Sequence, residues 1–267
     1  MISNFETVVT ECIPLPVKEA ITKSNKFGLS HTINIPLPVI TYIIGSGQVS
    51  LLRTFLYLKY YCTVAGDGRY EVTTTELSDS LSYTRQTANS HLKKLIRMGW
   101  ITEGFVRGWK KISKLCGGKD RTRIQTAKLN PCLLTSVTTL KAGCVYARLI
   151  YSYKVQSYKD RIKGKTAKTG AIKQRPLSAR KVGEWFGLSI MSGSYFRTLL
   201  LQYGFIKMNQ VFTLTRYTDS EVKYIKSIKE GVNLIWHHDR DCYAYQECNE
   251  LQLVESYLVG VRSKPLR

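Results

Sequence analysis

The chain has 267 residues, 43% of them hydrophobic, with 40 Lys and Arg against 19 Asp and Glu and a formal net charge of +21. That length holds about two ordinary domains, and that apolar share excludes wholesale disorder. Residues 1–218 carry 33 basic and 11 acidic side chains while 219–267 carry 7 and 8, so the excess sits in the first part and implies a polyanionic partner. With no run of 18 apolar residues and no basic-then-apolar leader pattern, the expected location is cytoplasmic, with no membrane contact. The seven cysteines at 12, 62, 116, 132, 144, 242 and 248 contain no CxxC pair and read as buried thiols.

In chain order, residues 1–47 contain IPLPV twice, at Ile13–Val17 and Ile35–Val39. Alternate prolines forbid a central strand, so both copies read as extended or edge segments strapping the first domain. Val49–Val64, rich in Leu, Phe and Tyr, reads as a helix. An extended lead-in, Val72–Thr74, and a capped helix through Thr74, Glu76, Leu77 and Leu81 come next. A turn at Ser82–Thr84 leads into LSYTRQTANSHLKKLIRMGWI, residues 81–101. There Thr84 is the expected cap, Ala88, Leu92, Leu95 and Ile96 form the apolar stripe, and Gly99 takes the left-handed stop. Arg85, Gln86, Asn89, Ser90 and Lys93 lie off that stripe, and Arg, Asn and Gln have the forks that match guanine and adenine edges. Trp100–Val106 reads as a strand, and the basic RGWKKISKLCGGKDRTR, Arg107–Arg123, as a wing holding phosphates through Lys110, Lys111, Lys119, Arg121 and Arg123. This order resembles the winged helix-turn-helix superfamily of DNA-binding domains. The alternative is a helical bundle that binds protein through the same face.

Residues 177–206, LSARKVGEWFGLSIMSGSYFRTLLLQYGFI, repeat the pattern after a helix at Leu140–Tyr153. Ser178 is the expected cap, Val182 and Phe186 point inward, and Gly187–Ser189 makes the turn. Phe205–Lys207 and Val211–Thr215 are expected to pair across Met208, Asn209 and Gln210 as a small wing. Ser192, Ser194, Tyr195 and Arg197 stand where the first copy offers its base-reading set. Between helix and repeat, residues 153–175 form a basic arm expected to follow phosphates through Lys159, Arg161, Lys163, Lys165, Lys168, Lys173 and Arg175. Gly164 and Gly170 deny it a long helix. The near-neutral tail carries Val222, Ile225, Ile228, then Leu251, Val254 and Leu258 at helical spacing, and reads as a cap, a dimer surface or a protein contact.

Chemistry has one candidate, WHHDRDCYAYQEC at 236–248. His237, His238, Cys242 and Cys248 are zinc ligands by type, but adjacent histidines diverge and no second ligand pair is near. A rolling-circle nickase needs an apolar residue between its two histidines, and GKTAKTG at 164–170 is no phosphate loop. The expectation is therefore no enzyme, no metal and no cofactor.

The expected fold is α+β, mainly α, with two tandem winged helix-turn-helix domains and N- and C-terminal extensions. Its divisions are an extended strap at 1–47, winged helices at 48–130 and 131–218, and a helical tail at 219–267. Across 48–218 this layout resembles plasmid and phage replication initiators. The resemblance implies binding of double-stranded DNA at repeated origin sites, local duplex distortion and recruitment of host replication proteins. It also implies that the second winged helix makes the stronger base contacts, whereas here the base-reading residues stand in the first copy. A transcriptional regulator, acting as a homodimer or not, and a nonspecific packaging protein remain open.

Overall fold

The computed structural model describes residues 32–63, 68–118, 123–163, 174–176, 178–215, 218–228, 234–237, 242–254 and 258–265. The IPLPV copy at 13–17 lies outside them. The second copy divides: Ile33–Pro36 is strand β1 and Leu37–Gly45 is helix α1. The expectation of extended structure is corrected for Leu37–Gly45. Pro38 falls in the first turn of α1, where the ring costs no hydrogen bond, so the prolines end a strand and begin a helix. Helix α2 spans Val49–Tyr57 and runs into a wider π-helical turn, Leu58–Cys62. Helix α3, Thr74–Leu81, and helix α4, Arg85–Arg97, come after it. Strands β2, Ile101–Thr102, and β3, Phe105–Val106, make a two-stranded hairpin, with Gly104 at φ 77° in its turn.

The region expected to be a wing, Arg107–Arg123, instead contains helix α5, Trp109–Leu115. The β2–β3 hairpin already closes the wing, and Trp109 and Ile112 give the next segment an inward face: Ile112 is fully buried and Trp109 packs edge-on against Phe55. Strand β4, Arg123–Leu129, and a 3-10 turn, Pro131–Thr135, lead into helix α6, Val137–Ile162. At about 1.5 Å per residue α6 is about 39 Å long. Every residue from Ala142 to Ala147 is buried, which marks a helix passing through the core rather than lying on it. The helix ends at Ile162, so residues 153–162 of the expected arm are helical. Gln174–Pro176, at its far end, is strand β5.

Helix α7, Ala179–Glu184, and helix α8, Ile190–Gln202, precede strand β6, Ile206–Thr215. No hairpin turns at Met208–Gln210. β6 runs straight through and pairs over its whole length with β8, Cys242–Leu253, with one bulge at Val211/Phe212. The tail is therefore corrected too. Among the described residues of the tail only α9, Asp219–Ile228, is helical, and it seats Val222 at 3% exposure. β7, Leu234–His237, pairs with one end of β8, and β5 with the other. β9, Val259–Pro265, pairs with β4. The helical spacing of Leu251, Val254 and Leu258 competed with a period of two, visible in Val259 and Val261, which are buried on either side of Gly260.

The sheets run β1–β4–β9, β2–β3 and β5–β8–β6, all antiparallel. β1 is an edge strand, as its proline requires. One buried cluster joins residues from Ile33 to Val261. Tyr146 of α6 stacks on Phe205, and its hydroxyl donates to the Val254 carbonyl. Cys132 and Cys144 are buried free thiols, and Cys62 and Cys116 are half-buried ones. Burial pushes Cys144 and Cys116 up to about 12, so both stay protonated at neutral pH.

A buried cation fastens these parts. Arg53, 5% exposed, donates from Nε to the Leu134 carbonyl at 2.5 Å, from Nη1 to Leu81 at 2.8 Å and from Nη2 to Thr135 at 2.8 Å. Those carbonyls end α3 and the 3-10 turn, where helix geometry leaves acceptors unpaired and partly negative. The guanidinium also lies 5.3 Å from the Tyr83 ring centre.

Helices α7 and α8 cross on glycine. A methyl group on Gly193 would collide with the Ala179 carbonyl oxygen and lie 2.8 Å from the Gly183 nitrogen. Gly193→Ala is expected to cost about 1–3 kcal/mol through overpacking against backbone that cannot rotate away. Denaturant unfolding checks this, with exposed Ser194→Ala as the reference, expected within about 0.5 kcal/mol of wild type. Equal stability of the two variants would mean that the crossing is loose.

Candidate nucleic-acid interface

The interface begins with two caps. Thr73 accepts from the Glu76 amide at 3.1 Å, while the Glu76 carboxylate accepts from the Thr73 amide at 2.7 Å and hydroxyl at 2.9 Å. These bonds hold the Glu76 carboxyl below its ordinary value. The capping residue is thus Thr73, one before the expected Thr74. Ser82 turns the chain at φ 53°, and the Thr84 hydroxyl then caps α4 by accepting from the Thr87 amide at 3.1 Å. Gly99 closes the unit at φ 68°, the left-handed stop expected of it.

Helix α4 seats Ala88 and Leu95 with no exposure and Leu92 partly. Ile96, assigned to the same stripe, is 46% exposed, because a 13-residue helix lying across α2 buries a narrower strip than the spacing allows. The rear of α4 is fixed by polar contacts. His91 Nδ1 lies 2.8 Å from Thr54 Oγ1, and Tyr83 packs edge-on against the imidazole. Burial, and secondarily Lys94, hold His91 below its ordinary value.

Arg85, Gln86, Asn89, Ser90 and Lys93 are all exposed. At positions i, i+1, i+4, i+5 and i+8 they form one continuous face over the first turns of the helix. Beside it stands the β2–β3 wing, to which Arg69 bridges at Phe105 with its guanidinium 5.4 Å from the ring centre. Arg69 went unnoticed in the sequence, where nothing but an isolated positive charge marks it. Lys110 and Lys111 are exposed on helix α5, not on a wing. Lys159 and Lys163 are exposed at the end of α6. Arg123 and Arg161 lie in β4 and α6, and Arg175 pairs with Leu251 in the β5–β8 ladder. Lys119, Arg121, Lys165, Lys168 and Lys173 fall outside the described residues.

The second helix-turn-helix repeats the first without a gap. Thr73, Ser82, Thr84, Ala88, Gly99 and Trp100 correspond to Ser178, Gly187, Ser189, Gly193, Gly204 and Phe205, a constant offset of 105. Both members of each cap pair accept from a first-turn amide, and Gly187 and Gly204 repeat the left-handed turns at φ 67° and 64°. This register revises the second site set. Ser194 and Tyr195 match Asn89 and Ser90 and are exposed. Ser192 matches Thr87, beside the cap, and Arg197 matches half-buried Leu92. Ile190 and Met191 match Arg85 and Gln86, and the sequence reading passed over both.

Residues 67–102 match the family of winged helix-turn-helix DNA-binding domains. They span α3, α4 and β2, so this segment is a winged helix-turn-helix, and the match supports DNA as its partner. No curated protein and no solved structure matches the chain. Among the described residues, no helix is long and apolar enough to cross a membrane.

Proposed function

We propose that the protein binds double-stranded DNA in a sequence-specific way, with α4 in the major groove and both helix-turn-helix units engaged, and that it serves replication initiation at an origin in the cytoplasm. The observation that carries the reading is the α4 face: five exposed polar side chains at the start of a capped helix, within a segment matched by DNA-binding domains. Arg85 suits the O6/N7 edge of guanine, and Gln86 and Asn89 suit the N6/N7 edge of adenine. Lys110 and Lys111, and beyond them Lys159 and Lys163, supply charge for flanking phosphates. The role is one of binding, not catalysis. The initiator assignment draws support from two turn-helix units in one strongly basic chain.

Selection of bound duplexes from a random pool tests both levels. Tandem direct repeats are expected. A palindrome would point to a dimeric regulator, and a pool with no enriched sequence would overturn specific recognition. On the selected site, alanine at Arg85 or Asn89 is expected to relax preference at one or two base positions, by roughly 1–3 kcal/mol, and to leave nonspecific binding unchanged. Uniform weakening on all sequences would assign these side chains to phosphates.

A further inference from the structure

Helix α8 has the cap and length of α4, and over its first six residues the same exposure pattern, but different chemistry on its outward face. At the five positions equivalent to Arg85, Gln86, Asn89, Ser90 and Lys93 it carries Ile190, Met191, Ser194, Tyr195 and Thr198. Met191 is 83% exposed, Ile190 50% and Tyr195 47%. No side chain on this face has the fork that reads guanine or adenine. An exposed apolar set is costly to keep in water unless something covers it, and three observations say what does. The helix stands in gapless register with one matched by DNA-binding domains. Arg180 on α7 and Lys207 in β6, the elements on either side of α8 in the chain, are exposed and add positive charge to the same unit. Lys141 of α6 holds its ammonium 5.4 Å from the Tyr195 ring centre, placing a further cation beside the apolar face. An apolar face with a cation beside it, in a positively charged unit, matches a stretch of major groove in which methyl groups project between two phosphate backbones.

We infer that α8 is a second base-reading helix with an apolar code, in which Ile190, Met191 and Tyr195 meet the C5-methyl groups of thymines in a second block of the site. The inference rests on the DNA-binding reading above and adds what the second block must contain. It divides the labour: α4 reads hydrogen-bonding edges, and α8 reads methyl groups.

The test uses the full chain and the duplex enriched from the random pool. Each thymine is replaced in turn by deoxyuridine, which removes one methyl group and keeps every Watson–Crick contact. Wild-type protein is expected to lose about fourfold in affinity for each contacted methyl, the worth of one buried methylene-sized group, at a cluster of thymines lying to one side of the α4 block. Met191→Ala and Ile190→Ala are each expected to abolish that sensitivity at the thymine the lost side chain contacts, and Arg85→Ala to retain it throughout. Indifference to uracil at every position, with an enriched sequence in hand, overturns the methyl code and leaves specific DNA binding standing. Full affinity and undiminished uracil sensitivity in Met191→Ala and Ile190→Ala remove α8 from the DNA and leave its apolar face to a protein. A pool that yields no enriched sequence overturns both readings together.

Discussion

A chain ending at Thr218 is expected to lose its cooperative fold. It would lack β8, which pairs with β6 along its full length and holds β5 on its other edge, and β9, which covers the open edge of β4. Leu258, Val259 and Val261 would also leave the core. At about 1.5–3 kcal/mol for each fully buried side chain, that loss alone approaches the 5–15 kcal/mol that ordinarily separates folded from unfolded chains. Added to it are three strands, β4, β5 and β6, left with unpaired amides and carbonyls. Thermal unfolding followed by circular dichroism should show no sharp transition, with aggregation on concentration. A fragment melting cooperatively within a few degrees of the whole chain would make the tail an accessory, free to serve another protein.

Arg53→Met is expected to destabilise the protein by at least about 3 kcal/mol. Three charge-assisted hydrogen bonds disappear, each typically worth about 1.5–3 kcal/mol and not additive. Methionine replaces the aliphatic stem, so little of the loss is cavity. The Leu81, Leu134 and Thr135 carbonyls are left without the donors they now have. Arg53→Lys should recover only part of this, since one ammonium cannot span three acceptors in the guanidinium plane. Denaturant midpoints of the two variants check the order. A methionine variant as stable as wild type would show that water replaces the guanidinium without loss.

Helix-turn-helix geometry was legible in the sequence because its signals are local. Caps, left-handed glycines and a stripe of three to four residues all act within one or two turns of chain, and Thr84, Gly99, Ser178 and Gly187 fell where expected. The elements that went astray are decided at long range. β6 reads as a small hairpin in itself until its partner, 28 or more residues away, is known. Residues 251–258 fit a helix and a strand about equally, and pairing with β6 and β5 settles residues up to 253. Arg53 shows the same limit in charge: composition counts it among the bases that imply a polyanion, yet two helix ends hold it inside. The gapless register of 105 was present in the sequence throughout. The second face carries residues unlike those of the first, so likeness of type does not reveal it.

Helix α1 ends against the second unit: a methyl group on Gly45 would lie 2.5 Å from the Phe186 carbonyl oxygen. With Arg53 tying the turn before α4 to the lead-in of α6, the two helices proposed to read DNA resemble a pair of dividers with a locked joint. DNA is a screw that completes a turn in about 10–10.5 base pairs, so each added pair swings one groove by about 34–36° relative to the other. Locked dividers on a screw measure phase as well as letters. Inserting half a turn between the two blocks would present one of them on the far side of the duplex, with every base intact and out of reach. On the proposed two-helix reading, distance along the duplex becomes part of the address.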